Sequence, residues 1–128
     1  MIAKIMRFLE QNPIQILSTS VNSQPNSRPV GSATLMNERI YFCMNKDKNM
    51  FEELCANDKI CLCVCASDYT WLRLRARVVF DESLKLKEEF IRLGKTRFTS
   101  ADDENFKLFY LVDIQAELSQ NGVKTRLD

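Results

Sequence analysis

Asn45, Lys46 and Lys48 stand where an apolar run, Tyr41 to Met44, gives way to the spaced apolar residues Met50, Phe51, Leu54 and Cys55. The first pattern belongs to a strand and the second to one face of a helix. Polar and cationic residues at such a junction can be read in two ways. One is a solvated connection, the common fate of a polar loop. The other is an anion site, because the first N–H groups of a helix lack intrahelical partners and its dipole favours negative charge.

Five cysteines and no histidine restrict the remaining chemistry. Without histidine there are no triad-type bases, no histidine metal ligands and no proximal haem histidine. Cys61, Cys63 and Cys65 lack the paired spacing of a zinc site, so no metal is expected. An odd count at this tight spacing does not suit a secreted disulfide framework. On a strand the three point to one face, with Leu62 and Val64 on the other, and they are expected to pack in the core. Trp71, Arg73, Arg75 and Arg77 share one side of a further strand, either as a solvated surface or paired with acidic residues across a subunit contact.

These residues need a scaffold, and the periodicities outline one. Ile2, Ile5, Met6 and Leu9 follow helical spacing that Asn12-Pro13 stops. Strands are expected over 14–21, 28–36, 39–45, 59–66, 70–80 and 106–119. A turn is expected over 22–27, and a tight turn at Asn37-Glu38. The first three strands read as an antiparallel meander. Helices are expected from about Met50 to Asn57 and over 82–93. Residues 96–105 read as loop or a short helical turn, and 119–128 as a polar tail with a turn signal at Asn121-Gly122. Consecutive hairpins with few helices indicate an α+β antiparallel sheet or barrel, not a doubly wound parallel sheet.

The 128 residues suit one domain, and apolar and charged fractions of 45% and 27% are ordinary for a globular chain. A net charge of +1 gives no global pull toward nucleic acid or membrane. No apolar run approaches the roughly 20 residues that span a bilayer. Lys4, Arg7 and Glu10 interrupt the N-terminal apolar positions, unlike a signal peptide, and a cytoplasmic protein is expected.

The order of these pieces, with RPVG in the second strand, YFCMN-K-x-K before a helix, CANDK at its end and TWLRLRARVVF afterwards, resembles the pyridoxamine 5'-phosphate oxidase-like FMN-binding split-barrel family. The likeness runs from about Phe8 to Leu118 and is nearest to short members related to nitroimidazole-resistance flavoproteins. It implies a six-stranded split barrel with two to three flanking helices, a homodimer, and FMN in the cleft between protomers. Arg28, Pro29, Val30, Gly31 and Ser32 would then lie along the flavin ring. Cys43, Met44 and Asn45 would meet the ribityl chain or phosphate, and Lys48 with Asn49 would open the helix that receives the phosphate. Trp71 would reach the isoalloxazine, and Arg73 would hold the cofactor phosphate or an anionic substrate.

The resemblance also implies an FMN-dependent oxidoreductase acting on a small-molecule substrate, with NAD(P)H as donor. No side chain stands out as an acid or base, so no catalytic residue is assigned. Ala33 and Thr34 occupy a region where the vitamin B6 members carry a lysine, and the tail SQNGVKTRLD lacks their tryptophan. True pyridoxamine phosphate oxidation is therefore not expected. Met44 stands where threonine is common, which implies weaker FMN binding. A non-enzymatic flavin-binding or sensing protein, an interaction dimer without cofactor, and a deazaflavin in place of FMN are the alternatives.

Overall fold

A computed structural model describes residues 2–128. Helix α1 (Ile2–Gln11) precedes the hairpin of β1 (Gln15–Val21) and β2 (Gln24–Val30), then β3 (Thr34–Met36) and β4 (Arg39–Asn45). Next come α2 (Asn49–Ala56), β5 (Lys59–Cys65), β6 (Trp71–Asp81), α3 (Leu84–Arg92), β7 (Phe106–Gln120) and β8 (Val123–Arg126). All ladders are antiparallel. The sheet runs β2-β1-β5-β6-β7-β4-β3, with β8 paired to β7 off this path.

Eight strands replace the six expected, for two local reasons. The segment read as one strand over 28–36 is two strands, β2 and β3, interrupted at residues 31–33. Asn22 and Ser23 both take positive φ, 52° and 64°, so a two-residue turn suffices and β2 starts at Gln24. The second reason lies in the segment read as a tail. Asn121 and Gly122 turn the chain at positive φ, and β8 folds back on β7.

The expected meander is also corrected. β1 and β2 form one hairpin, and β3 and β4 form another at the opposite edge of the sheet. Only residues 31–33 join the two edges, and four Cα steps span at most roughly 14 Å. The sheet must therefore curl until β2 and β3 come close, although no ladder joins them among the described residues. This is the split barrel.

The barrel interior is filled by the inward positions. Leu17, Phe42, Leu62, Leu72, Leu74 and Phe109 are at most 1% exposed, each such burial stabilising by about 1.5–3 kcal/mol. Phe42 and Phe109 stack at 5.5 Å between ring centroids. Ile5, Met6 and Leu9 of α1 join this core, as do Met50 and Leu54 of α2. A second cluster forms under α3, where Phe90 meets Tyr41, Phe106 and Leu108 from β4 and β7.

The three cysteines of β5 do not enter the core. Leu62 and Val64 are buried, whereas Cys63 and Cys65 are exposed and Cys61 is half-buried. β5 lies inside the ladder between β1 and β6, but the core covers one face of it. The outward face aligns Ile16 with Cys63, Cys63 with Arg73 and Cys65 with Trp71. No helix among the described residues is long and apolar enough to cross a membrane.

Leu127 is 1% exposed, and its N–H bonds the Ala116 carbonyl at 2.9 Å. The C-terminal strand is thus part of the fold. Leu127→Ala is expected to destabilise the protein by about 2–4 kcal/mol in urea unfolding, where a free tail would leave the midpoint unchanged.

Candidate functional site

A cavity of about 890 Å³ opens between β2, the link after it, the end of β4 and the start of α2. That volume lies within the roughly 300–1,000 Å³ of small-molecule and cofactor sites. The stretch Arg28 to Ser32, the stretch Cys43 to Asn45, Lys48 and Asn49 all line it. The fold thus gathers ten of the twelve residues singled out from the sequence.

Trp71 and Arg73 are the two it does not gather. They lie on the outward face of β6, where the Arg73 guanidinium sits 4.9 Å from the Trp71 ring and bonds Glu117 at 2.7 Å. Arg77 likewise pairs with Asp113 and Asp58. Two of the three arginines of the stripe therefore find acidic partners within the chain, through the neighbouring ladder and the α2–β5 connection.

Arg28 is held in a closed triangle. Its guanidinium donates to Glu53 at 2.5 Å and to the Thr19 hydroxyl at 2.9 Å, and that hydroxyl donates to Glu53 at 2.7 Å. Asn26 adds a third hydrogen bond to the same carboxylate. The Thr19 hydroxyl, followed by the Arg28 guanidinium, holds the Glu53 carboxyl below its ordinary value against the opposing effect of burial. Arg28 is thus a fixed, neutralised element of the cavity wall.

The other segments divide their work between shaping the wall and facing the cavity. Ser32 accepts the Cys43 N–H at 3.0 Å on its hydroxyl oxygen. The Met44 side chain is 6% exposed and belongs to the barrel core. Asn45 accepts the Asp47 N–H on its side chain, and its carbonyl accepts from Lys48, so it builds the turn that aims α2. Burial pushes the Cys43 thiol up, against hydrogen bonds to Thr96 and Ser32, so it stays protonated near neutrality.

Gly31 has a different reason from the one its cavity position suggests. A Cβ there would stand 2.8 Å from the Pro13 carbonyl oxygen. The α1–β1 connection behind it is by itself enough to demand the glycine.

Lys48 is the N-cap of α2 and makes no side-chain cap hydrogen bond. A lysine carries only donors, so it cannot satisfy the first N–H groups of the helix as Ser or Asp would. A helix start without a side-chain acceptor is compatible with the anion reading of this junction. Sequence reasoning missed Glu53, Lys95 and Arg97, which also line the cavity. The clue available was the glycine-terminated helix followed by Lys95-Thr96-Arg97, but only the long-range packing of α3 shows where that segment lands. Lys48, Lys95 and Arg97 have no carboxylate partner within 4 Å among the described residues. Four cations thus meet one carboxylate, itself paired, and the cavity is positive.

Because the Glu53 value is depressed on folding, its contribution is complete above the unfolded carboxylate value of about 4.3 and is lost as pH falls through the folded value. Glu53→Gln is expected to remove that component. Between about pH 6 and about pH 3 the wild-type melting temperature should fall further than that of the variant. Equal slopes in thermal denaturation would show that the triangle contributes nothing.

The fold is shared with known structures. A NimC/NimA family protein from Clostridium acetobutylicum superposes with a TM-score of 0.91 at 22% identity, covering 98% of this chain and 90% of that one. General Stress Protein 26 from Bacillus anthracis gives 0.75 at 16%, with 98% of each chain covered. A pyridoxamine 5'-phosphate oxidase-related, FMN binding protein from Nostoc punctiforme gives 0.68 at 13%, covering 98% and 96%. No curated protein matches the chain. The pyridoxamine 5'-phosphate oxidase family model matches residues 1–117, nearly the whole sequence, and the chain therefore belongs to that family.

Proposed function

We propose that this chain binds FMN in the cavity beside Lys48 and works as an FMN-dependent oxidoreductase on a small-molecule substrate, with a nicotinamide donor. The observation that carries this reading is a cavity of about 890 Å³ lined by Lys48, Lys95 and Arg97, none of them paired with a carboxylate among the described residues, and by a helix start whose N-cap supplies no side-chain acceptor. A mononucleotide phosphate needs such an end, with backbone donors and compensating positive charge. The family membership and the FMN binding reported in the name of the Nostoc punctiforme relative point the same way.

The chain's own residues have defined tasks in this reading. Lys48 and the first N–H groups of α2 hold the phosphate. Ser32 offers its hydroxyl to the ligand, while Arg28, immobilised by Glu53 and Thr19, forms a rigid polar wall. Bound FMN would supply the electron-transfer chemistry, so no protein acid or base is required.

A homodimer completes the proposal. Ile14 and Ile16 are 72% and 42% exposed, and Ile16 continues into the outward face of Cys63, Cys65 and the half-buried Trp71. An apolar face of this kind suits a second copy, and covering it would bring Trp71 and Arg73 into a shared cleft. The five cysteines are free, which suits a reducing, cytoplasmic setting.

The test is an absorbance spectrum of the purified protein, with FMN added if it is colourless, followed by gel filtration. Retained flavin bands are expected, at the elution volume of a dimer. Bleaching by NADH or NADPH without oxygen would mark an oxidoreductase, whereas retained but unreduced flavin would mark a binding or sensing protein. Lys48→Ala is expected to weaken FMN binding by roughly 1.5–3 kcal/mol through loss of a charge-assisted hydrogen bond, read as an increased dissociation constant in a fluorescence titration.

A further inference from the structure

The cavity has a wall that neither the strand–helix junction nor β2 provides. The connection from α3 to β7 turns at Gly94, which takes φ of 86°, and then runs beside Cys43, Met44 and Asn45. Together they border a second depression of about 430 Å³. Lys95 and Arg97 line both this depression and the main cavity.

Four contacts fix this segment in place. The Lys95 ammonium donates to the Ala33 carbonyl at 2.7 Å. The Cys43 thiol donates to the Thr96 hydroxyl at 3.4 Å, and that hydroxyl also accepts the Phe98 N–H at 3.2 Å. Beyond Arg97, the Phe98 ring stacks on Phe106 at 4.8 Å. Arg97 is thus held between two anchors. Its own side chain has no hydrogen bond, carboxylate or aromatic partner among the described residues, although it borders a cavity in which Arg28 is already neutralised.

We infer that Arg97 is a second phosphate-binding residue, closing on the anionic group from the α3–β7 connection while Lys48 holds it from α2. This inference rests on the FMN reading of the cavity. The chemistry supports a pair of cations over a single one, since the phosphate monoester carries close to two charges at neutrality and a guanidinium adds planar two-point bonding that an ammonium lacks. Lys95 acts as a positioning residue, because the bond to Ala33 uses one of its three hydrogens to tie the connection to the link between β2 and β3.

The experiment compares FMN with riboflavin, which lacks the phosphate, by fluorescence titration of wild type, Arg97→Gln, Arg97→Lys and Lys48→Ala. Arg97→Gln is expected to raise the FMN dissociation constant about tenfold or more and leave riboflavin unchanged, with Arg97→Lys recovering part of the loss. Circular dichroism and melting temperature should match wild type, since Arg97 is exposed. Unchanged FMN affinity in Arg97→Gln, with weakened affinity in Lys48→Ala, would overturn this inference and leave the FMN site standing. Equal loss of FMN and riboflavin would also overturn it, by assigning Arg97 a structural role. Failure of the wild-type protein to bind either flavin would overturn the FMN reading itself.

Discussion

Residues 31–33 are the constraint on which the molecule depends. They are the only covalent bridge between the two edges of a seven-strand path, and their shortness forces the sheet to curl. The link is also tied from several sides. Ser32 receives the Cys43 N–H, its carbonyl accepts from the Thr34 hydroxyl, and the Ala33 carbonyl accepts from Lys95. Gly31 is pressed against the backbone of Pro13. Barrel geometry and cavity geometry are therefore a single problem, because the segment that bridges the split also forms the cavity wall.

Charge is distributed around this link in two ways. On the β1 and β2 side, Arg28, Thr19, Asn26 and Glu53 satisfy one another in a partly buried network. A network of this kind is stabilising only while all its members are present, since a lone buried charge is costly. On the side of α2 and the α3–β7 connection, the cations have no carboxylate partner among the described residues. The same number of basic residues placed evenly would have produced no preferred end for an anionic ligand.

Local patterns were the legible part of this structure. The three helices, the tight turn at Asn37-Glu38 and the strand-to-helix junction at Lys48 all follow from periodicity and turn chemistry. Long-range order was less accessible. Nothing between Val30 and Thr34 announces that β2 and β3 belong to opposite edges, because residues 31–33 differ little in composition from an ordinary strand interruption. The outward face of β5 misled for a related reason: cysteine is apolar enough to read as core, and only the whole sheet shows which face the core covers. Glu53, Lys95 and Arg97 were hidden likewise, since their relevance comes from packing between segments distant in sequence. The resemblance to a family supplied Arg28 and Ser32 as site residues, while their actual bonding had to come from coordinates.

The lysine at the N-cap of α2 has a dynamic consequence. Most helices carry their own acceptor at this position and are therefore closed units whether or not a ligand is present. Here the eight-residue helix Asn49–Ala56 begins without one, and so short a helix has little cooperativity to spare. In the proposed function, an anion bound at its start would complete the cap, and the free energy of opening the first turn would rise with occupancy. The amide protons of Asn49 and Met50 would then be a native reporter, whose hydrogen-exchange rates record how fully the cavity is filled without any label, chromophore or turnover.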